Sequence, residues 1–324
     1  MFTDAHALIC KGGVEAVLIA TPHPLHVPVA ASAARRGVHV LTEKPLAVTV
    51  TDAERLVATC RAHGVLLGVM FQQRTDPAWR TIKCLVDEGA LGQVYRISLV
   101  TASYRPHAYY ASAAWRGTWE GEGGGVLMNQ APHALDLFLW IGGMPRAVQG
   151  LAATRLQPIA VEDVALAICD YGGGKVGWMY ATTAEVAGAD RLEMVGERGV
   201  LLCEGGQIRQ LSLEEPLPIH HRTSTDLFGQ PGSAWREVAV APVDHAHMEV
   251  VKAFARAVQA QDESLLVASG GDGRRAVEFA NAILLASYSR RQVALPLSRP
   301  RYTRLWRRLQ HGRATLDGPG SHLA

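Results

Sequence analysis

Two stretches of the chain carry side chains whose types and spacing suit proton chemistry. Lys44 stands in Glu43-Lys44-Pro45, just past the apolar residues 38–41, which read as a buried strand. Lysine is scarce here, five residues against 27 arginines. A desolvated lysine shifts its pKa and handles a proton or a hydroxyl, whereas an arginine stays charged. The other reading of Lys44 is a solvated lysine in a turn. The second stretch runs from Gly123-Gly124-Gly125 to Asp136. A helix starting near Gln130, capped by Asn129, places Asn129, His133 and Asp136 at i, i+4 and i+7, roughly on one face. Histidine is the usual acid/base near neutral pH, and a carboxylate one turn away would orient it or raise its pKa. Against that stands a core histidine opening an apolar helix, since Leu135, Leu137, Phe138, Leu139 and Trp140 follow.

Further candidates carry less pattern. His23 and His26 follow the first apolar run; a cofactor contact and simple packing on the helix they open are both open to them. Trp115-Arg116 forms a flat or charged clamp, or a structural tryptophan with a neighbouring arginine. Asp244-His245-Ala246-His247 has a metal-ligand look but no third ligand at a fixed spacing, and helix starts carry such residues for other reasons.

The elements that position these residues come in two rhythms. Residues 17–20, 38–41 and 65–71 read as buried strands, with helices over 25–36 and 51–63 between them. Strand and helix alternating at this spacing give a doubly wound parallel sheet. In such a sheet ligands bind beyond the carboxyl ends of the strands, where Lys44 falls. After a helix over 77–88 the strands lengthen and alternate, at 94–103, 146–156, 163–170, 175–183, 191–195, 200–203 and 207–213. Glycine turns at 172–174 and 205–206 mark an antiparallel sheet. Helices over 247–259 and 273–289 follow. The expected organisation is a parallel α/β part over 1–75, an α+β part with a large, mostly antiparallel open sheet over 76–298, and a basic tail without fixed structure over 299–324.

The composition narrows the class of function. With 32 basic and 30 acidic side chains the net charge is +2, too small a field for a nucleic-acid partner. That sum hides an asymmetry: residues 299–324 hold six arginines and one acid, Asp317, while residues 1–298 hold 26 basic and 29 acidic side chains. The tail, with Tyr302 and Trp306 among its arginines, suits an anionic surface or a solvated terminus. Five scattered cysteines without a C-x-x-C fit free thiols in a reducing compartment, and no apolar run reaches the ~20 residues of a membrane span. These features lead us to expect a cytoplasmic α/β protein with no membrane partner and no bound metal.

Several segments together resemble the Gfo/Idh/MocA family of nicotinamide-dependent oxidoreductases, which includes glucose–fructose oxidoreductase and inositol dehydrogenases. They are VEAVLIATPHPLH at 14–26, GVHVLTEKPLAVT at 37–49, FQQR at 71–74, EGALGQV at 88–94, AWRGTW at 114–119, GGGVLMNQAPHALDLFLW at 123–140, RLEMVGERGVL at 191–201 and the closing stretch at 269–297. The resemblance implies a Rossmann domain joined to an α/β domain whose open sheet forms a dimer or tetramer interface. It implies NAD or NADP as cofactor and a sugar, cyclitol or related polyol as substrate. Lys44 maps to the lysine that contacts the reacting hydroxyl and His133 to the acid/base. Asn129 maps to an assisting position that is often aspartate; as an asparagine it cannot take a proton. Cofactor contacts are implied for Thr21, Pro22, His23 and His26, for Glu43 with Lys44, for Gln72 and Arg74, and for Trp115 and Arg116 near the nicotinamide.

One departure from the family pattern is large. The family opens on a strand, a Gly-x-Gly-x-x-Gly turn and a helix, and this chain offers only Gly12-Gly13 before its first strand. The expectation is therefore that an opening unit of roughly 50–60 residues is missing, either because Met1 is an internal start codon in a mis-called reading frame or because the gene is truncated. Two other functions remain open beside hydride transfer: an NAD-using glycoside hydrolase of the same family, and a cofactor-free remnant acting as an oligomer subunit.

Overall fold

The computed structural model describes residues 1–186, 190–241 and 246–312. A short helix α1 (Ala5–Lys11), capped by Asp4, leads into strand β1 (Ala16–Ile19). Helix α2 (His23–Ala34) starts two residues earlier than the periodicity suggests, because Pro22 and Pro24 suit a helix start, where a missing N–H costs nothing. Strand β2 (His39–Thr42), helix α3 (Val50–Ala62) and strand β3 (Leu67–Val69) complete the first unit. The three strands form a parallel sheet in the order β1-β2-β3. Its β2 and β3 are buried on both faces, which is why the sequence shows no alternation there.

A 3-10 turn (Gln72–Thr75) and helix α4 (Pro77–Asp87) connect to the second layer. Its strands are β4 (Val94–Ala102), β5 (Ala147–Ala153), β6 (Val164–Gly172), β7 (Lys175–Thr182), β8 (Arg191–Gly196), β9 (Gly199–Glu204), β10 (Gln207–Leu213), β11 (Ser233–Val238) and β12 (Val293–Ala294). They pair as one nine-stranded sheet in the order β11-β10-β9-β8-β4-β7-β6-β5-β12. All contacts are antiparallel except β4 with β7. Helices α5 (His107–Ala111), α6 (Pro132–Gly142), α7 (Leu217–Thr223) and α8 (Ala246–Ala260) interrupt the strands, and α9 (Gly270–Ser289) lies against β5, α3 and α6.

Strand alternation sorts this sheet into two faces. Ala165, Ala167 and Cys169 of β6, and Met179 and Ala181 of β7, are buried. Their neighbours Leu166 and Ile168, paired with Tyr180 and Trp178, lie on the opposite, open face. The parallel part is not closed off at residue 75. Helix α8 returns to it, where Val250 and Phe254 pack with Leu41 and Met70, and Ser269 bridges Gly68.

The tail departs from expectation. Residues 299–310 form helix α10 (Arg299–Gln310), and its Tyr302, Leu305 and Leu309 are buried. The arginines mask an amphipathic pattern: apolar side chains recur at i, i+3 and i+7 while the basic ones face outward. Trp306 meets Trp119 edge-on, and Arg299 is held by Glu54 and Glu278. Tyr302 and Trp306 therefore belong to the packing and are not a free anionic-surface binder. Residues 313–324 lie outside the described residues, as do Asp244 and His245 of the metal-like pair. Leu309→Ala should cost about 2–4 kcal/mol in urea unfolding, while exposed Arg301→Ala should stay within about 0.5 kcal/mol. Equal effects of the two would show that α10 does not contribute to the core.

Candidate active site at the carboxyl ends of the parallel strands

The ends of β1 and β2 supply the first wall. Thr42 closes β2, Glu43 donates its N–H to the Ile19 carbonyl at 2.8 Å, and Lys44 follows at a cis Lys44–Pro45 bond. His26, fully buried, holds these two ends together: Nδ1 lies 2.8 Å from the Pro45 carbonyl and Nε2 2.8 Å from that of Thr21. The ring thus bridges the two loops between the Pro45 and Thr21 carbonyls. Pro22 accepts from the Leu25 N–H and starts α2.

The glycine-rich stretch forms the second wall. It sits where side chains do not fit: a Cβ on Gly125 would lie 1.8 Å from the Glu162 carbonyl oxygen. Gly123, with φ of +85°, would drive a Cβ into Val48 at 2.6 Å. Glu162, fully buried, accepts the N–H groups of Gly125 at 2.9 Å and Leu127 at 3.1 Å. This close docking carries Asn129 to Lys44, whose Nζ donates to the Asn129 carbonyl at 2.6 Å.

Helix α6 begins at Pro132 with Ala131 as its cap, so Asn129 is not the cap that the spacing suggested. The Asn129 amide instead donates to Glu122 and, at 3.2 Å, to the Tyr109 hydroxyl. His133 sits in the first turn of α6 with Nε2 3.2 Å from Gln72 Nε2 and its ring 6.0 Å from that of Phe71. The expected partnership of Asp136 with His133 does not form. Asp136, 2% exposed, takes Arg74 in a bidentate pair at 2.7 and 2.6 Å. Arg74 also reaches Asp272 at 3.2 Å and the Val267 carbonyl at 3.3 Å. A buried carboxylate requires such a partner. Arg74 is thereby committed to Asp136, Asp272 and the Val267 carbonyl.

His23 donates from Nδ1 to the Glu122 carbonyl at 2.8 Å and meets Trp115 edge-on at 5.7 Å. Arg116 stacks between aromatic rings, 4.1 Å from Tyr109 and 4.5 Å from Trp115. Lys44, His23, Asn129, His133, Gln72, Trp115 and Arg116 thus surround one region. Glu122 and Tyr109 join it unannounced by the sequence reading. The Glu-Gly-Gly-Gly junction was the available signal for Glu122, and Tyr109 had none.

The electrostatics follow from burial. Desolvation lowers Lys44 from the usual lysine range, opposed by Glu43 and Glu122 and reinforced by Arg105 and Arg116. Desolvation lowers His133 to about 3, and the charges of Lys44 and His247 add to this. His23 falls to about 4, again chiefly by burial. Both rings are neutral near pH 7. Several buried polar atoms of this region lack partners among the described residues: Thr21 Oγ1, Gln72 Oε1, Arg116 Nε and His133 Nδ1. Such orphans call for a polar ligand or water. Polar groups of a bound nicotinamide cofactor and its substrate would meet them, with Thr21, His23, Trp115 and Arg116 as the residues placed to hold it. Gly12-Gly13 lies before β1 and gives no phosphate-binding strand–turn–helix.

Comparison with known proteins agrees with this arrangement. Residues 1–71 match the GFO_IDH_MocA oxidoreductase family with an NAD-binding Rossmann fold, and residues 79–202 match the GFO/IDH/MocA C-terminal domain. The chain belongs to the GFO/IDH/MocA family. It is 32% identical over 159 residues to scyllo-inositol 2-dehydrogenase (NADP(+)) IolW of Bacillus subtilis, covering 49% of this chain and 43% of that protein. Thus it spans less than half the length of that relative. It is 26% identical over 319 residues to 2,7-anhydro-N-acetylneuraminate hydratase of Mediterraneibacter gnavus, covering 90% of this chain and 84% of that one. Among solved structures, the WlbA dehydrogenase of Bordetella pertussis in complex with NADH and UDP-GlcNAcA superposes with a TM-score of 0.76 at 25% identity. That match covers 92% of this chain and 84% of that one.

Burial pushes the Glu162 carboxyl up to about 7, and the hydrogen bonds it accepts offset this in part. The folded protein then holds this proton more tightly than the unfolded chain does. Its stabilising effect is complete below the ordinary glutamate pKa of about 4.3 and is lost as the pH rises toward about 7. Glu162→Gln keeps an acceptor for Gly125 and Leu127 and has no proton to lose. The Tm of this variant should fall less between about pH 4.5 and 7.5 than that of the parent; equal slopes would exclude Glu162 as the cause.

Proposed function

We propose that the protein transfers a hydride between a nicotinamide cofactor, NAD or NADP, and a hydroxyl-bearing carbon of a sugar, cyclitol or related polyol. The observation that carries this reading is the convergence of a half-buried lysine and a neutral, half-buried histidine beyond the strand ends. Family membership and the inositol dehydrogenase relative support it. The bound cofactor supplies the hydride acceptor. His133, neutral near pH 7, is the base for the substrate hydroxyl proton during oxidation, taking it at the ring nitrogen that carries no hydrogen. Lys44, anchored on the Asn129 carbonyl, donates to that oxygen as negative charge develops on it. Asn129 cannot relay a proton, so its part is to hold Lys44 and offer polar atoms to the substrate.

A second reading is favoured by the hydratase relative, aligned over 90% of this chain. In it the hydride is taken and returned within one turnover, and a sugar ether or glycosidic bond is opened without net reduction of cofactor. Assays on anhydrosugars and aryl glycosides without accumulation of NADH would favour that reading.

The open face of the nine-stranded sheet supports a homo-oligomer. It bears Leu151 at 51% exposed, Ile168 at 52% and Trp235 at 53%, an apolar band suited to a second copy of the chain. Among the described residues no helix is long and apolar enough to cross a membrane. The free cysteines support a cytoplasmic setting.

Lys44→Met and His133→Asn should each lower kcat by about 100-fold or more on a responsive polyol, with unchanged circular dichroism. If both stay within about threefold of the parent, the assignment fails. Titration with NADH or NADPH should quench tryptophan fluorescence, and Trp115→Phe should remove most of that signal; the absence of any saturable quenching would instead support a cofactor-free remnant.

A further inference from the structure

Glu122 lies between the site's components without appearing among the residues that chemistry at first suggests. It is 1% exposed. One carboxylate oxygen accepts the Gly117 N–H at 2.6 Å, the other accepts the Asn129 side-chain amide, and its carbonyl accepts His23 Nδ1 at 2.8 Å. It therefore joins the loop after β1, the Trp115-Arg116 loop and the stretch that carries Asn129. A carboxylate accepts and does not donate, so the Asn129 NH2 must be the end turned toward it. That NH2 is shared between Glu122 and the Tyr109 hydroxyl, which leaves Asn129 Oδ1 as the end of the amide that they do not engage.

Charge gives a second, independent observation. Lys44 is half-buried, and the charged or titratable groups facing it are Glu43 on its own loop, Glu122, Arg105 and Arg116 from the second layer, His23 of α2 and His133 of α6. Both imidazoles are neutral near pH 7; burial raises the Glu122 carboxyl, and the hydrogen bonds from Asn129 and Gly117 and the charges of Arg116 and Lys44 oppose this, so its ionised form depends on the same cations that it sustains. Removing Glu122 leaves Glu43 alone against Lys44, Arg105 and Arg116.

We propose that Glu122 is the positioning residue of this site: its carboxylate turns the Asn129 amide so that Oδ1 is presented to a substrate hydroxyl, and its charge keeps the half-buried Lys44 an ammonium donor. The proposal rests on the reading of Lys44 and His133 as substrate groups, but its charge component holds without substrate or cofactor. Glu122→Gln places an NH2 where two N–H donors need acceptors, and it removes the charge at nearly constant volume. Glu122→Asp keeps the charge and withdraws it by one methylene from Asn129.

The test uses the whole chain after reductive methylation with 13C-formaldehyde, which preserves lysine charge. There are only five lysines, and loss of a signal in Lys44→Arg assigns the Lys44 resonance. In Glu122→Gln the Lys44 titration should move down by about one pH unit, and the basic limb of the kcat/KM profile should move with it. Glu122→Asp should leave the Lys44 titration within about 0.3 unit, raise KM about tenfold and change kcat less than threefold. An unmoved Lys44 titration in folded Glu122→Gln overturns the charge role, and a parental KM in Glu122→Asp overturns the positioning role. Should Glu122→Gln fail to fold, the Glu122→Asp result decides. If Lys44→Met and His133→Asn prove active while the titration shifts as stated, it is the functional reading that fails, not the coupling of Glu122 to Lys44.

Discussion

The contact on which the rest of this site depends is the meeting of two backbones, that of Gly125 with that of Glu162. No side chain fits between them, and the buried Glu162 carboxylate returns across the gap to accept the N–H groups of Gly125 and Leu127. The chain passes Val48 at Gly123, enters this seam at Gly125 and then delivers the Asn129 carbonyl to Lys44. The seam thus converts two loops of different layers into one pocket wall. A side chain at Gly125 would separate them before any functional group was changed.

Burial at this seam also determines the electrostatic character of the site. Lys44, His133 and His23 are desolvated together, so the two imidazoles favour the neutral form while the lysine is sustained by Glu43 and Glu122. In the proposed reaction a neutral histidine beside an ammonium divides the labour: one group accepts a proton and the other stabilises the oxygen left behind. The same desolvation explains why Asp136 does not serve His133. Nearly fully buried on α6, it requires a cation, and the bidentate fork of Arg74 meets that need better than an imidazole.

The layers are kept in register by α9. Asn281, fully buried on this helix, accepts the Val50 N–H at 2.9 Å and donates to the Val48 carbonyl at 3.1 Å, so the start of α3 is fixed against the second layer. Glu278 of the same helix accepts the Leu297 N–H at 2.8 Å and pairs with Arg274 and Arg299. Through Arg299 and Glu54 the last helix is tied to α3 as well. Helix α10 is thereby part of the frame that holds the parallel strands in place.

Much of this was legible in the sequence because it depends on local patterns. Continuous apolar runs announced the parallel strands, alternation between glycine turns announced the open sheet, and Lys44 after a buried strand announced a ligand at the sheet's carboxyl ends. What could not be read depends on side-chain partnership across distant segments. Periodicity placed Asn129, His133 and Asp136 on one face, yet Asn129 lies before the helix and Asp136 is claimed by Arg74, 62 residues away. Charge count made the last residues look solvated, although a three- and four-residue apolar spacing beneath the arginines packs them onto the core. The sequence by itself thus determined the two layers and singled out Lys44 and His133 as candidates, because strand burial and residue chemistry are local properties. Only the tertiary structure decided which groups meet, which are neutral and that Glu122 stands among them, because desolvation and hydrogen-bond choice depend on neighbours that the linear order does not supply.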